Sequence, residues 1–182
     1  YAAQKYREYL DKFPFALDYY EVTWYLADTY VRTEQFAEAL GRYNQLLKFE
    51  NHDFHDQSRY RRWMVTREIL LAAHGSVYGV PEGAAVEQTV ETVGGGERKV
   101  YALSDEHLAY IAVCEELQDV HLTDPTYAAA LDRERVTLLY DPAYIRNQHG
   151  DFEGMRPLME EVIDLYPRTE EGAFAAGAIV NS

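Results

Sequence analysis

Apolar residues recur at helical spacing along most of this chain, and the recurrence breaks at a few definite places. In the stretch Trp24-Tyr-Leu-Ala-Asp-Thr-Tyr30, the residues Leu26, Ala27 and Tyr30 are spaced to share one helix face. In the next stretch, Gln35-Phe-Ala-Glu-Ala-Leu-Gly-Arg-Tyr43, the residues Phe36, Ala39 and Tyr43, with Leu46 beyond, fall at i, i+3, i+7 and i+10. Two such stripes can press together, which predicts two short antiparallel helices. Helices this short cannot bury their apolar faces alone, so stacking on similar neighbours is the natural way to complete a core. The pattern therefore predicts a solenoid.

The rest of the chain follows the same grammar. Residues 1–13 carry Ala2, Tyr6, Tyr9, Leu10 and Phe13 on one face, and Pro14 ends that helix. After the polar break Asn51-His-Asp-Phe-His-Asp56, a helix capped by Asp56 or Ser58 carries Tyr60, Trp63, Met64, Val65, Ile69, Leu70 and Leu71, and Gly75 stops it. From Ser76 to Lys99 the period is lost among Gly79, Pro81, Gly83 and Gly94-Gly-Gly96, while residues 85–93 alternate weakly as an extended segment does. Residues 76–99 are thus an insertion, expected to be the least ordered part of the chain or a small extended hairpin outside the helical stack. Helix resumes behind the N-cap Ser104 with the stripe Leu108, Ile111, Ala112, Cys114 and Leu117. Asp124-Pro125 marks a further start, Asp141-Pro142 a kink or a fresh start, and His149-Gly150-Asp151 a turn. The expected architecture is all-α: helical hairpins in 1–75, an irregular Gly-rich insertion in 76–99, and helical hairpins again in 100–182.

The spacing resembles the tetratricopeptide repeat, a unit of about 34 residues with a small residue where its two helices touch. Numbered from Tyr20, the unit has Leu26 at place 7, Ala27 at 8, Tyr30 at 11, Phe36 at 17, Ala39 at 20, Tyr43 at 24 and Leu46 at 27, with Glu34 where a turn glycine is usual and Asn51 where the closing proline is usual. Numbered from Val136, a second match places Leu139, Ala143, Gly150, Phe152, Met155, Met159, Val162 and Pro167 at places 4, 8, 15, 17, 20, 24, 27 and 32, with Pro142 and Arg146 at places usually apolar. Half-repeats begin and end the chain: Ala2, Tyr6, Tyr9 and Pro14 match a second helix, and Ala173, Ala176, Gly177 and Val180 a first one. The expectation is a piece cut from a longer array, whose ends self-associate or are covered in the parent chain. The endings Lys12-Phe-Pro14 and Leu165-Tyr-Pro167 are similar to those of BamD-type outer-membrane lipoproteins and of large bacterial envelope repeat proteins, some linked to gliding motility. That likeness implies a periplasmic or outer-membrane-associated setting.

In the resembled family, the first helix of each repeat lines a concave groove. Carried over, the lining is Glu21, Trp24, Asp28, Val31 and Arg32 in one repeat, and Thr137, Tyr140, Tyr144, Asn147 and Gln148 in the other. Aromatic anchors among polar neighbours suit a peptide partner.

Composition narrows the partner. The net charge of −14 and pI near 4.8 argue against nucleic acid and, by steering, favour a neutral or basic protein or peptide. Sixteen tyrosines suit both long half-exposed helix faces and a binding surface. No apolar run is long enough to span a membrane. Cys114 is the single cysteine, so no intrachain disulfide forms.

Candidate chemistry is thin. His52, Asp53, His55 and Asp56 are residue types that hold zinc or nickel, set against a polar loop between helices. Gly94-Gly-Gly-Glu-Arg-Lys99 lacks the Gly-Lys-Ser/Thr ending of a phosphate loop and reads as a flexible turn. Cys114 sits in an apolar stripe, as a small buried hydrophobe does. Glu115-Glu116, Glu160-Glu161 and Glu170-Glu171 point about 100° apart on a helix and read as solvated faces. No cofactor is expected. The leading expectation is a non-enzymatic binding scaffold; the alternatives are a structural spacer stacking within its parent chain, and an enzyme with its chemistry in residues 76–99.

Overall fold

The computed structural model describes residues 1–91 and 96–180. They are mostly helical, in keeping with an all-α pattern, with one small sheet. In chain order the elements are α1 (Ala2–Lys12), α2 (Tyr19–Arg32), α3 (Phe36–Leu46), α4 (His55–His74), β1 (Val86–Glu91), β2 (Glu97–Tyr101), α5 (Asp105–Gln118), α6 (Pro125–Gln148), α7 (Phe152–Leu165) and α8 (Glu170–Val180). Two compact units divide them: Tyr1–Ile69 with His121–Leu131, and Leu70–Val120 with Asp132–Ser182.

In the first unit, α2 packs on α1 and α3. Its core holds Leu10, Leu26, Ala27, Tyr30, Ala39, Tyr43, Leu46 and Val65. Ala27 and Ala39 are fully buried, so the helices approach closely where a larger side chain would hold them apart. The buried threonine hydroxyls are met locally: Thr23 donates to the Tyr19 carbonyl at 2.7 Å and Thr66 to that of Arg62 at 2.8 Å, one turn back in each case. The start of α4 differs from expectation. Ser58 lies inside the helix, fully buried, donating to the Phe54 carbonyl at 2.6 Å. Asp56 instead accepts from the Thr123 hydroxyl at 2.7 Å and the Asp124 amide at 3.0 Å, tying down the chain ahead of α6.

The second unit gathers α6, α7 and α8 around Leu139, Ala143, Met155, Met159, Val162 and Ala175. The alternation over 85–93 becomes β1, paired antiparallel with β2 from Val86 opposite Tyr101 to Glu91 opposite Glu97. Residues 92 and 93, with Gly94 and Gly95 of the glycine run, lie outside the described residues. Ser104 caps α5 by accepting from the His107 amide. The inward face of α5 is His107, Tyr110, Ile111, Cys114 and Leu117, whereas Leu108 and Ala112 face solvent. The stripe is thus rotated toward His107, and a histidine occupies the place the apolar pattern assigns to leucine.

Pro142 neither breaks nor restarts α6, which runs unbroken from Pro125 to Gln148. A proline inside a helix leaves the carbonyl one turn earlier without its donor. Here that carbonyl belongs to Leu138, and the Gln118 side-chain amide donates to it at 3.2 Å. Arg135 serves the end of α5 in the same spirit, donating to the carbonyls of Leu117 and Val120 at 2.9 and 2.7 Å.

One turn occurs twice. At the end of α2, Glu34 has φ 57°, its amide bonds the Val31 carbonyl at 3.0 Å, and the Gln35 amide bonds that of Tyr30 at 2.9 Å. At the end of α6, Gly150 has φ 78°, its amide bonds the Asn147 carbonyl at 3.0 Å, and the Asp151 amide bonds that of Arg146 at 2.9 Å. Both are Schellman caps with a left-handed residue after the helix. A glutamate in that conformation carries Cβ strain that glycine lacks. Glu34 is exposed, so Glu34→Gly should stabilise the first unit by about 0.5 kcal/mol, the relief of strain exceeding the added chain entropy. Denaturant midpoints measured by far-UV circular dichroism check this; a lower midpoint would mean that the Glu34 side chain makes a contact worth more than the strain.

Candidate binding surfaces

The residues expected to line a groove fall into two sets, one in each unit. In the first, all five lie on α2. Trp24 is half-buried against the core, its ring 5.6 Å from Tyr25 and 5.9 Å from Phe54. The Trp24 indole nitrogen is buried with no hydrogen-bond partner among the described residues. Asp28 is half-buried and held by Arg32, whose Nε lies 2.8 Å from its carboxylate, and Val31 packs on the core. Glu21 is exposed, and the neighbouring Tyr25 phenol is raised above its ordinary pKa by hydrogen bonding to the Glu21 carboxylate. The charged members are therefore partly satisfied among themselves, and the aromatic member is anchored from behind.

The second set lies on α6. The rings of Tyr140 and Tyr144 stack with centroids 5.4 Å apart, and Phe174 of α8 meets them edge-on at 5.9 and 5.0 Å. Tyr78 closes on Tyr144 at 4.9 Å. Such contacts are the offset and edge-on geometries that aromatic quadrupoles favour. Burial pushes the Tyr140 phenol up, with Tyr144, Asp141 and Glu171 adding to the effect, so it stays protonated and a donor at neutral pH. Thr137 and Asn147 are half-buried beside these rings in sequence, and Gln148 is exposed.

Behind the rings is a group the sequence reading passed over. Asp141 is 1 % exposed and accepts from the hydroxyls of Tyr78 at 2.8 Å and Tyr110 at 2.6 Å. Burial first, then Cys114 and Asp141, drive the Tyr110 phenol far up, so its hydroxyl remains a donor to the carboxylate. Nothing in the local pattern singled out Asp141, because its partners come from positions 31 and 63 residues away. Cys114 is itself fully buried in this neighbourhood.

The histidines and carboxylates of the 51–56 break do come together, in an open cleft of about 440 Å³ lined by Glu50, His52, Asp53, His55, Asp56, Thr123 and Asp124. Two of these side chains, His52 and Asp56, are already engaged. His52 bonds the Leu46 carbonyl through Nε2 at 3.0 Å and receives the Phe54 amide on Nδ1 at 3.2 Å, while its ring stacks on Tyr20 at 4.5 Å. Asp56 is spent on Thr123 and Asp124. Among the described residues, no group of three His, Cys, Asp or Glu side chains is disposed to hold a metal ion. The acidic pairs Glu115-Glu116 and Glu160-Glu161 lie on exposed faces.

A second feature missed in the sequence is the turn between α1 and α2. Phe15 and Leu17 are almost wholly exposed there, although Pro14 reads only as a helix stop. Among the described residues, no helix is long and apolar enough to cross a membrane. No protein-family model, curated protein or solved structure matches the chain.

Proposed function

We propose that this chain is a non-enzymatic scaffold of tetratricopeptide-like hairpins that binds a protein or peptide, within a longer array whose neighbouring repeats continue the stack. The observation that carries the reading is the recurrence of one hairpin. Ala27 and Ala143 are both fully buried, and in each case seven residues later, at Glu34 and Gly150, the chain makes the same left-handed Schellman turn. A unit that repeats both its tight helix contact and its turn is the building block of a solenoid, and solenoids bind through extended helix faces. The envelope setting follows only from the family resemblance. The partner is a neutral to basic peptide, drawn by the −14 net charge and met by Trp24 in one unit and by Tyr140 and Tyr144 in the other.

The spacer reading has one observation in its favour, since Trp24, Tyr140 and Tyr144 all rest against their own cores. Fluorescence anisotropy with two labelled pools of short aromatic-containing peptides, one basic and one acidic, separates the readings. The basic pool is expected to bind and to weaken as salt is raised. Trp24→Ala and Tyr144→Ala should each lose about 2 kcal/mol of binding while the far-UV helical signal is retained. Equal or absent binding of both pools, or loss of helix in both variants, would assign these rings to packing and leave the spacer.

A further inference from the structure

Three histidines that no binding role uses meet inside the second unit. His74 ends α4, His107 lies in the first turn of α5, and His149 follows α6. The His74 and His107 rings stack with centroids 5.1 Å apart and 5° between planes, and His149 meets His107 edge-on at 4.8 Å. His107 and His149 have no exposed surface. We propose that this trio is an acid-sensitive latch, which holds the β1–β2 hairpin and the start of α5 to the α6–α7 corner at neutral pH and releases them as the buried rings of His107 and His149 protonate.

The hydrogen bonds define why the neutral rings fit. The Ile145 carbonyl can only accept, so His149 Nδ1, at 2.9 Å from it, carries that ring's proton. Its Nε2 is then a bare lone pair, buried and without a partner among the described residues, and a second proton there would be an N–H with no acceptor among them. His107 Nδ1 and His74 Nε2 each lie 2.9 Å from the Ser104 hydroxyl, whose single hydrogen serves one of them while its oxygen accepts from the other. A positive charge on any ring would also face two others. Glu106, 3.2 Å from His74, is the carboxylate that faces the cluster. Together with the Val77 backbone it favours a charged His107, but burial and the neighbouring imidazoles outweigh both and push His107 down to about 4. His149 is lowered as well, chiefly by burial.

The latch is mechanical because the same corner carries the hairpin. The Tyr101 amide at the end of β2 donates to the His149 carbonyl at 2.8 Å, and the Lys99 carbonyl lies against Gly150. A ring forced out at His149 or His107 would therefore free both the hairpin and the capped start of α5.

The sign follows from linkage. Unfolded histidine titrates near 6.5, and burial holds His107 and His149 below that in the folded chain, so between about 6.5 and 4 opening lets His107 take up a proton and stability falls as pH falls. Amide exchange on the intact chain tests this, corrected for the intrinsic pH dependence of exchange. Protection across β2 and the first half of α5 should drop by at least about tenfold from pH 7 to pH 5, a range above the titration of ordinary carboxylates. His107→Asn with His149→Asn keeps a polar atom near each Nδ1 position without a titrating ring, and its protection should be nearly level over that range. A second measurement is nitrogen-detected titration of the wild-type imidazoles, in which both rings should stay neutral at pH 5.5, well below the ordinary midpoint of about 6.5. Unchanged wild-type protection at pH 5 would overturn the latch. So would ordinary titration of the two rings, which decides the matter even if the double variant does not fold.

Discussion

Gly150→Ala is expected to destabilise the second unit by about 3 kcal/mol and to loosen the β1–β2 hairpin, because the position combines two demands that alanine fails. Its φ of 78° lies where a Cβ is strained. A Cβ there would also approach the Lys99 carbonyl far inside van der Waals contact, and that neighbour is backbone rather than a flexible side chain. Relief requires moving β2 or unwinding the turn, and either breaks the Tyr101 to His149 hydrogen bond. Far-UV circular dichroism in denaturant gives the stability, and amide exchange over Glu97–Tyr101 gives the hairpin. A loss below about 1 kcal/mol would mean that the strand yields without cost and that the close approach holds nothing in place. The Glu34→Gly prediction at the equivalent turn has the opposite sign. The signs differ because one change adds a Cβ at positive φ and the other removes one, and the strand laid against Gly150 makes the addition the larger effect.

Tyr43→Ala should be the most damaging single change in the first unit, costing about 4 kcal/mol. Tyr43 has no exposed surface and lies in the core with Leu26, Ala27, Tyr30, Ala39 and Leu46, where no small side chain can collapse to fill a ring-sized space. Tyr43→Phe should instead be neutral or stabilising by about 1 kcal/mol. The Tyr43 hydroxyl is buried with no hydrogen-bond partner among the described residues, and burial drives its pKa upward, so it is a desolvated group without compensation. Both tryptophans, Trp24 and Trp63, belong to this unit, so indole fluorescence in denaturant reports its unfolding directly. A phenylalanine variant weaker than wild type by more than about 1 kcal/mol would reveal a partner for the hydroxyl, such as an enclosed water.

The sequence by itself determined most of the helices. Apolar spacing sufficed for α2, α3 and α7, because each buries one coherent face: Leu26, Ala27 and Tyr30; Ala39, Tyr43 and Leu46; Met155, Met159 and Val162. Capping chemistry sufficed at Ser104 and at Asp124-Pro125, since the groups that start a helix are neighbours in sequence. The matching small residues Ala27 and Ala143 were visible in the chain alone, but the matching turn was not, because a glutamate stands at position 34 where a turn glycine is usual. Tertiary structure decided what depends on distant partners. Pro142 stays inside α6 because Gln118 supplies the donor its ring removes. His107 rather than Leu108 turns inward because His74 and His149 offer it a dry stack that no hydropathy pattern encodes. Asp141 is buried because Tyr78 and Tyr110 arrive from elsewhere in the chain to bond it. Trp24 and Tyr144, which the family resemblance assigns to a groove lining, are half taken up by packing, since an aromatic face at a helix junction serves whichever neighbour covers it first. Local spacing sets which face a residue occupies, but only the arrival of other segments sets whether a polar group on that face finds its partner.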